Sequence, residues 1–368
     1  MPDERPIPDP ALKPATPIKA KESANSLPGV PFCGAGGPPA LGERSAPGGD
    51  PHFTPIPGAK KYKSVGDYEI VSKLGRGGMG SVYLAIRKST GEQVALKILL
   101  PELVKDTEMY ERFMREARAT HRFAHPNIVS AVDFGSYDKY HYIAMQYVDG
   151  PDLEKMLAAS GKLDEATLLR VAADMALALE AIEKQGIVHR DIKPSNIMVT
   201  SQGVYRLADL GLASAGSGDE RVTLAGSAIG TPYYISPEQA KGQFDVDIRA
   251  DIYGLGATLY HLATGSVPYP GNNDVRIMTA HVSEPLKPPE QINPAVSPCV
   301  SALIQRMMEK EPAQRPRNTA ELRRMIEQCQ RGEMPETNPA PKAQPAGKPA
   351  ASGGLVKSLF GFFSKPKV

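Results

Sequence analysis

Cysteine is scarce in this sequence: Cys33, Cys299 and Cys329 are the only three in 368 residues. They are scattered, odd in number and without metal-ligand spacing. Neither a metal site built on cysteine nor a disulfide framework is expected, and a reducing cytoplasm fits best. An excess of charge of one sign is also missing. The 43 basic and 41 acidic residues leave a formal net charge of +2, without the basic stripe that marks a nucleic-acid binder. No apolar stretch approaches the roughly 20 residues that span a bilayer. The opening Met-Pro-Asp-Glu-Arg has no apolar core of the kind a signal peptide needs. These absences predict a soluble, cytoplasmic chain with no transmembrane segment and no nucleic-acid partner. Internal repeats are absent too.

What is present is unevenly distributed. Fourteen of the 35 prolines fall in the first 60 residues, among Gly, Ala, Ser and Lys, with too few large apolar groups to offset the entropy of ordering the chain. Residues 1–61 therefore read as a disordered Pro/Gly-rich region, and 331–354 as a Pro/Ala-rich linker ahead of a short apolar and basic tail at 355–368. Residues 62–330 carry the periodicity of a folded domain. Val82, Leu84 and Ile86 alternate with polar or small residues, Ser89-Thr90-Gly91 reads as a turn, and Val94, Leu96 and Ile98 resume the alternation. A helix is predicted over about 101–123, then strands near 129–134 and 142–147. Beyond residue 150 the pattern turns helical. Leu168, Ala172, Met175, Leu179 and Ile182 make one apolar helix face that Gly186 closes. Residues 248–262 are apolar nearly all round, and further helices fit 275–281, 300–309 and 319–330. The predicted fold class is α+β and bilobal. A small antiparallel β-sheet lobe with one main helix (about 62–148) precedes a larger, mainly α-helical lobe (about 149–330).

Gly75-Arg76-Gly77-Gly78-Met79-Gly80-Ser81-Val82 contains G-x-G-x-x-G. A dinucleotide-binding turn needs a helix straight after the glycines; here a strand follows, so the glycines sit in a hairpin. Such a hairpin is either a plain glycine turn or a flap whose backbone N–H groups lie over phosphates. Lys97 comes one strand later and Glu116 lies on the next helix. Each alone reads as an ordinary solvated charge; together they can form a pair that holds the lysine against phosphate oxygens. A stronger signal is His189-Arg190-Asp191-Ile192-Lys193-Pro194-Ser195-Asn196, with Asp209-Leu210-Gly211 beginning thirteen residues after Asn196. H-R-D-x-x-x-x-N followed by D-x-G supplies what phosphoryl transfer demands, which is positioning and charge neutralisation. Asp191 can accept a hydroxyl proton and Lys193 can offset charge on the transferred group. Asn196 and Asp209 offer hard oxygen ligands suited to Mg²⁺.

With these motifs, and with His125-Pro126-Asn127-Ile128-Val129 and Ser236-Pro237-Glu238-Gln239-Ala240, the sequence resembles the eukaryotic-like (Hanks-type) serine/threonine protein kinases, particularly those of bacteria. The resemblance covers about 68–325 and implies the bilobal protein kinase fold, with ATP and Mg²⁺ (or Mn²⁺) as cofactors and Ser/Thr hydroxyls of proteins as acceptors. It implies ATP contacts from Leu74, Gly75, Arg76, Gly77, Gly78, Met79, Gly80, Ser81 and Val82. Lys97 would bind the α- and β-phosphates and pair with Glu116; Val82, Ala95 and Met198 would sandwich the adenine. Met145 would be the gatekeeper, with Gln146, Tyr147 and Val148 as the hinge. Asp191 and Lys193 would be catalytic, linked by Thr231, and Asn196 and Asp209 would hold the metal. Glu238 would pair with Arg315, and Asp251 would hold the catalytic-loop backbone. Leu210 stands where D-F-G has Phe, Ser236 where A-P-E has Ala, and Gln146 where Glu is usual; none of these changes the chemistry.

Lys193, two residues after Asp191, and Thr231 favour serine/threonine over tyrosine as acceptor. Arg190 points to control by phosphorylation of the activation loop (209–238), with Thr223 the first and Ser227 the second candidate for autophosphorylation, a reaction suited to a transient homodimer. The apolar Leu355, Val356, Leu359, Phe360, Phe362 and Phe363, punctuated by Lys357, Lys365 and Lys367, form either a membrane-surface or partner-docking element or a tail that packs on its own domain or stays disordered. Two other functional classes are a pseudokinase scaffold and a small-molecule phosphotransferase. The presence of Lys97, Asp191, Asn196 and Asp209 argues against the first, and Pro237-Glu238 at the end of the activation loop argues against the second.

Overall fold

The computed structural model describes residues 64–76, 80–100, 103–104, 107–121, 123–210, 214–215, 232–243 and 245–335. The expected regions at 1–61 and 355–368, and nearly all of the linker between 331 and 354, lie outside the described residues.

Alternating apolar and polar residues build a six-stranded antiparallel sheet from β1 (Ser64–Val65), β2 (Tyr68–Arg76), β3 (Gly80–Arg87), β4 (Gln93–Leu99), β5 (Ala131–Tyr137) and β6 (Tyr140–Gln146), with α1 (Thr107–His121) between β4 and β5. The strand order is β1-β2-β3-β4-β6-β5. One face buries Tyr68, Tyr83, Ala85, Val94, Leu96 and Ala144. The other packs Leu99, Ala131 and Ile143 against Phe113 and Ala117 of α1. The period of two fixes what each face carries. Val82 stands opposite Lys97, Lys97 opposite Ile143, and Ala95 opposite Met145, so all five residues share the α1 side of the sheet.

The remaining elements are α2 (Leu153–Ser160), α3 (Glu165–Glu183), β7 (Ile187–Val188), β8 (Ile197–Val199), β9 (Tyr205–Leu207), β10 (Ser214–Ala215), α4 (Pro237–Ala240), α5 (Ile248–Thr264), α6 (Asp274–Ser283), α7 (Pro289–Ile292), α8 (Pro298–Met307) and α9 (Thr319–Gln330). Asp164 caps α3 by accepting from the Thr167 amide at 2.9 Å, and Asp247 caps α5 through the Arg249 amide at 2.9 Å. Their apolar residues, among them Leu168, Met175, Leu179, Ile252 and Leu255, join Leu303 and Leu322 in a single core. The sheet meets this helical part at residues 147–152. A Cβ on Gly150 would collide with the carbonyl oxygen of Val199, so glycine there lets the connection lie directly on β8.

The helix expected over 101–123 is shorter, α1 spanning Thr107–His121, while α3, α5, α6, α8 and α9 fall where the periodicity placed helices. The short helices α2, α4 and α7 were not anticipated, because eight residues or fewer give too few turns to show a period. The cysteine reading is corrected. Cys299 on α8 and Cys329 on α9 form a disulfide, with Cα atoms 5.6 Å apart and a sequence separation of 30. Their proximity comes from helix packing, which linear spacing does not reveal, and it removes the support that cysteine usage gave to a reducing compartment. Among the described residues no helix is long and apolar enough to cross a membrane.

Candidate active site

The site forms where the sheet faces the loops between β7 and β9. β4 points Lys97 toward α1, where its Nζ lies 2.5 Å from Oε1 of Glu116 and 3.3 Å from Oδ1 of Asp209. Three charges from a strand, a helix and a loop 112 residues away in sequence therefore meet on one ammonium. Burial pulls Lys97 down, but the two carboxylates outweigh it and its pKa stands above the usual lysine value. Glu116 is buried, which pushes its carboxyl up to about 7 against the pull of Lys97. Asp209 is held down to about 2, chiefly by the Lys97 ammonium, so it is ionised at neutral pH.

Below this trio lies the loop that carries Asp191. Lys193 Nζ donates to Asp191 Oδ2 at 2.7 Å, and Asn196 Nδ2 donates to the same oxygen at 3.0 Å and to the Asp191 carbonyl at 2.8 Å. The loop is fixed from beneath by α5. Asp251, 1% exposed, accepts from the backbone amides of His189 and Arg190, both at 2.7 Å. Thr258 Oγ1 donates to the Ile192 carbonyl at 3.3 Å. Gly254 permits this approach, since a Cβ there would stand 3.3 Å from the Ile192 side chain. His189 is buried and joins the two acidic positions. Its Nε2 must donate to the Ala208 carbonyl at 3.2 Å, because a carbonyl only accepts, which leaves Nδ1 to accept the Asp191 amide at 3.3 Å. Arg190 and Asp209 have φ of +69° and +65°, two of three such non-glycine residues among those described. This left-handed backbone is disfavoured for side chains of their size and persists because the surrounding bonds over-determine it.

Glu238, in the first turn of α4, meets Arg315 in a buried bidentate pair at 2.7 and 2.8 Å. Arg315 is fully buried. Its remaining N–H groups reach the carbonyls of Glu309, Arg249 and Lys310 at 2.8–3.0 Å, and its guanidinium stacks 4.9 Å from the Tyr253 ring centre.

The fold thus brings together Lys97, Glu116 and Asp209, and separately Asp191, Lys193 and Asn196. Val82, Ala95 and Met145 line the sheet face beside Lys97. Gln146 ends β6, Tyr147 and Val148 follow it, and Met198 lies on β8. Leu74, Gly75 and Arg76 end β2, and Gly80 and Ser81 begin β3. Gly77, Gly78, Met79, Thr223, Ser227 and Thr231 lie outside the described residues. Motif reading gave no role to Gln239, whose Nε2 donates to the Arg190 carbonyl at 3.0 Å, nor to Thr258. Their partners are backbone carbonyls distant in sequence, which leave no signal in it. For a divalent cation the donor types fit. Asp209 is ionised and partly open to solvent, and Asn196 uses its amide N–H on Asp191, leaving its amide oxygen as acceptor.

Glu116 yields a prediction. Ionised, it anchors Lys97; protonated, it does not. The ratio of nucleotide affinities of wild type and Glu116→Gln is expected to be on the order of tenfold at pH 8 and to shrink toward one near pH 6. Fluorescent-nucleotide titrations of both proteins check this, because titration of the nucleotide itself cancels in the ratio. A ratio independent of pH contradicts it.

The protein kinase domain model matches residues 68–326. A probable serine/threonine-protein kinase of Clostridium acetobutylicum is 39% identical over 255 residues, covering 69% of this chain and 38% of that protein. One from Streptomyces coelicolor is 38% identical over 304 residues, covering 81% and 43%. The serine/threonine-protein kinase PknB of Mycobacterium leprae is 37% identical over 279 residues, covering 75% and 44%. The chain spans less than half the length of each of these relatives.

Proposed function

Because the chain belongs to the protein kinase family, we propose that it transfers the γ-phosphate of ATP to serine and threonine hydroxyls of proteins. The observation that carries this is the placement of Asp191, braced by Lys193 and Asn196, under the ion cluster of Lys97, Glu116 and Asp209. Lys97, held by Glu116, binds the α- and β-phosphates. Val82, Ala95 and Met198 enclose the adenine beside the paired ends of β2 and β3, with Met145 as gatekeeper and 146–148 as hinge. Asp191 orients the acceptor hydroxyl and takes its proton, and Lys193, already beside it, offsets charge on the phosphoryl group in transit. Asn196 and Asp209 would hold Mg²⁺ (or Mn²⁺), which supplies charge neutralisation across the phosphates. Residues 62–330 form the kinase domain in this reading, and Thr223 is the first site of autophosphorylation, Ser227 the second. The names of its relatives support serine/threonine acceptors.

Incubation of the full chain with [γ-³²P]ATP, Mg²⁺ and myelin basic protein tests the reading. Acid hydrolysis is expected to release labelled phosphoserine and phosphothreonine, and mass spectrometry to locate phosphate on Thr223 or Ser227. Label confined to phosphotyrosine or to inorganic phosphate would overturn it.

A further inference from the structure

His281 stands outside the nucleotide site, near the end of α6, and is fully buried. Its Nε2 lies 3.0 Å from the carbonyl oxygen of Tyr233. A carbonyl only accepts, so Nε2 carries the proton and donates it. Nδ1 is then the acceptor, and the Tyr253 hydroxyl, 2.9 Å away, donates to it. One tautomer satisfies both partners. The pocket keeps the ring neutral. The Tyr269 ring packs edge-on at 4.8 Å, and Lys310 Nζ donates to the Tyr269 hydroxyl at 2.7 Å and to the His281 carbonyl at 2.8 Å. Burial, then the nearby Lys310 ammonium, press the His281 pKa down to about 3. The imidazole is therefore a fixed donor at physiological pH, with Tyr253 itself fixed by the Arg315 guanidinium stacked on its ring.

The chain that His281 grips runs beside the catalytic loop. Residues 232–235 are partly exposed. Downstream, Gln239 ties the segment to the carbonyl of Arg190, next to Asp191. The Tyr234 hydroxyl meets His261 Nδ1 at 2.8 Å. The segment is thus held to the catalytic loop at one end and to α6 at the other, and its partly exposed residues run beside the loop that carries Asp191: the Tyr234 carbonyl and the Ile192 side chain both stand within 3.5 Å of where a Cβ on Gly254 would be. A carbonyl left without its donor at Tyr233 would free the upstream end of this strip while the nucleotide contacts on the sheet stayed as they were.

We propose that His281 is a positioning residue for the protein acceptor: through the Tyr233 carbonyl it sets the strip 232–235 against which the acceptor backbone lies. This rests on the kinase reading. Its signature is a split between the two substrates. In His281→Leu the KM for myelin basic protein is expected to rise roughly three- to tenfold, the factor one neutral hydrogen bond supplies, while the KM for ATP holds. His281→Gln, whose Nε2 can still donate to Tyr233, is expected to restore most of the loss. Hydrogen exchange of the full chain adds a readout independent of catalysis: the amides of 232–240 exchange faster in His281→Leu and at the wild-type rate in His281→Gln. If His281→Leu does not fold, Tyr253→Phe, which removes one hydroxyl and frees the tautomer, is expected to change the same two readouts in the same direction. Unchanged acceptor KM in a folded variant, or equal rises in the KM of both substrates, overturns the proposal. A wild type that labels no acceptor refutes the kinase reading instead, and unchanged exchange at 232–240 then refutes the tether on its own.

Discussion

Asp191→Asn is expected to slow phosphoryl transfer to myelin basic protein by about 10²–10⁴-fold, the contribution of a positioned general base, with nucleotide affinity and melting temperature near the wild-type values. Asparagine keeps the size of the side chain and an oxygen for Lys193 and Asn196, which donate to Asp191 Oδ2 at 2.7 and 3.0 Å. It removes the ability to take a proton. Nucleotide binding draws on Lys97 and the sheet face, which Asp191 does not touch, so the loss falls on the transfer step. Initial rates at saturating ATP, with a thermal melt as control, check it. A variant that transfers at the wild-type rate would falsify the role given to Asp191.

Glu238→Ala is expected to destabilise the domain by about 3–5 kcal/mol, because it leaves the Arg315 charge buried without its counterion. The loss corresponds to a fall in Tm on the order of 10 °C. Three backbone carbonyls would still hold the guanidinium, but none of them carries the compensating charge. Replacing both partners with apolar residues of similar volume is expected to recover much of the loss, since no buried charge then remains. Arg315→Lys is expected to fall between the two, as a lysine cannot reproduce the five-donor fork. Denaturant melts of the four proteins rank them, and a Glu238→Ala protein as stable as wild type contradicts the account.

These two effects differ in how far the sequence announced them. Asp191, Lys193, Asn196 and Asp209 lie in short motifs whose spacing suits phosphoryl transfer, whereas Lys97 and Glu116 each read as ordinary charges on a strand and a helix until the resemblance singled them out as a pair. Resemblance supplied the pairing of Glu238 with Arg315 and the part played by Asp251; no local pattern contains either, since 77 residues separate the first pair and about 60 the second. What stayed illegible is the set of contacts that helix packing creates. Cys299 and Cys329 looked unrelated until α8 met α9. His281 sits in an ordinary amphipathic helix, and only the arrangement around α5 places the Tyr253 hydroxyl on one nitrogen and the Tyr233 carbonyl on the other. The long helices were readable because they repeat over several turns, and α2, α4 and α7 were not because they barely repeat at all.

The central claim is that this ion cluster and Asp191 together move phosphate from ATP to a protein hydroxyl. The most direct measurement is stoichiometric: ADP formed and phosphate gained by Ser and Thr of myelin basic protein, counted in the same reaction for wild type and Lys97→Met. The account predicts that, after hydrolysis to water is subtracted, wild type places one phosphate on an acceptor or on its own chain for each ADP, and that Lys97→Met falls to background in both. ADP released without any phosphorylated hydroxyl, or equal labelling by Lys97→Met, would contradict it.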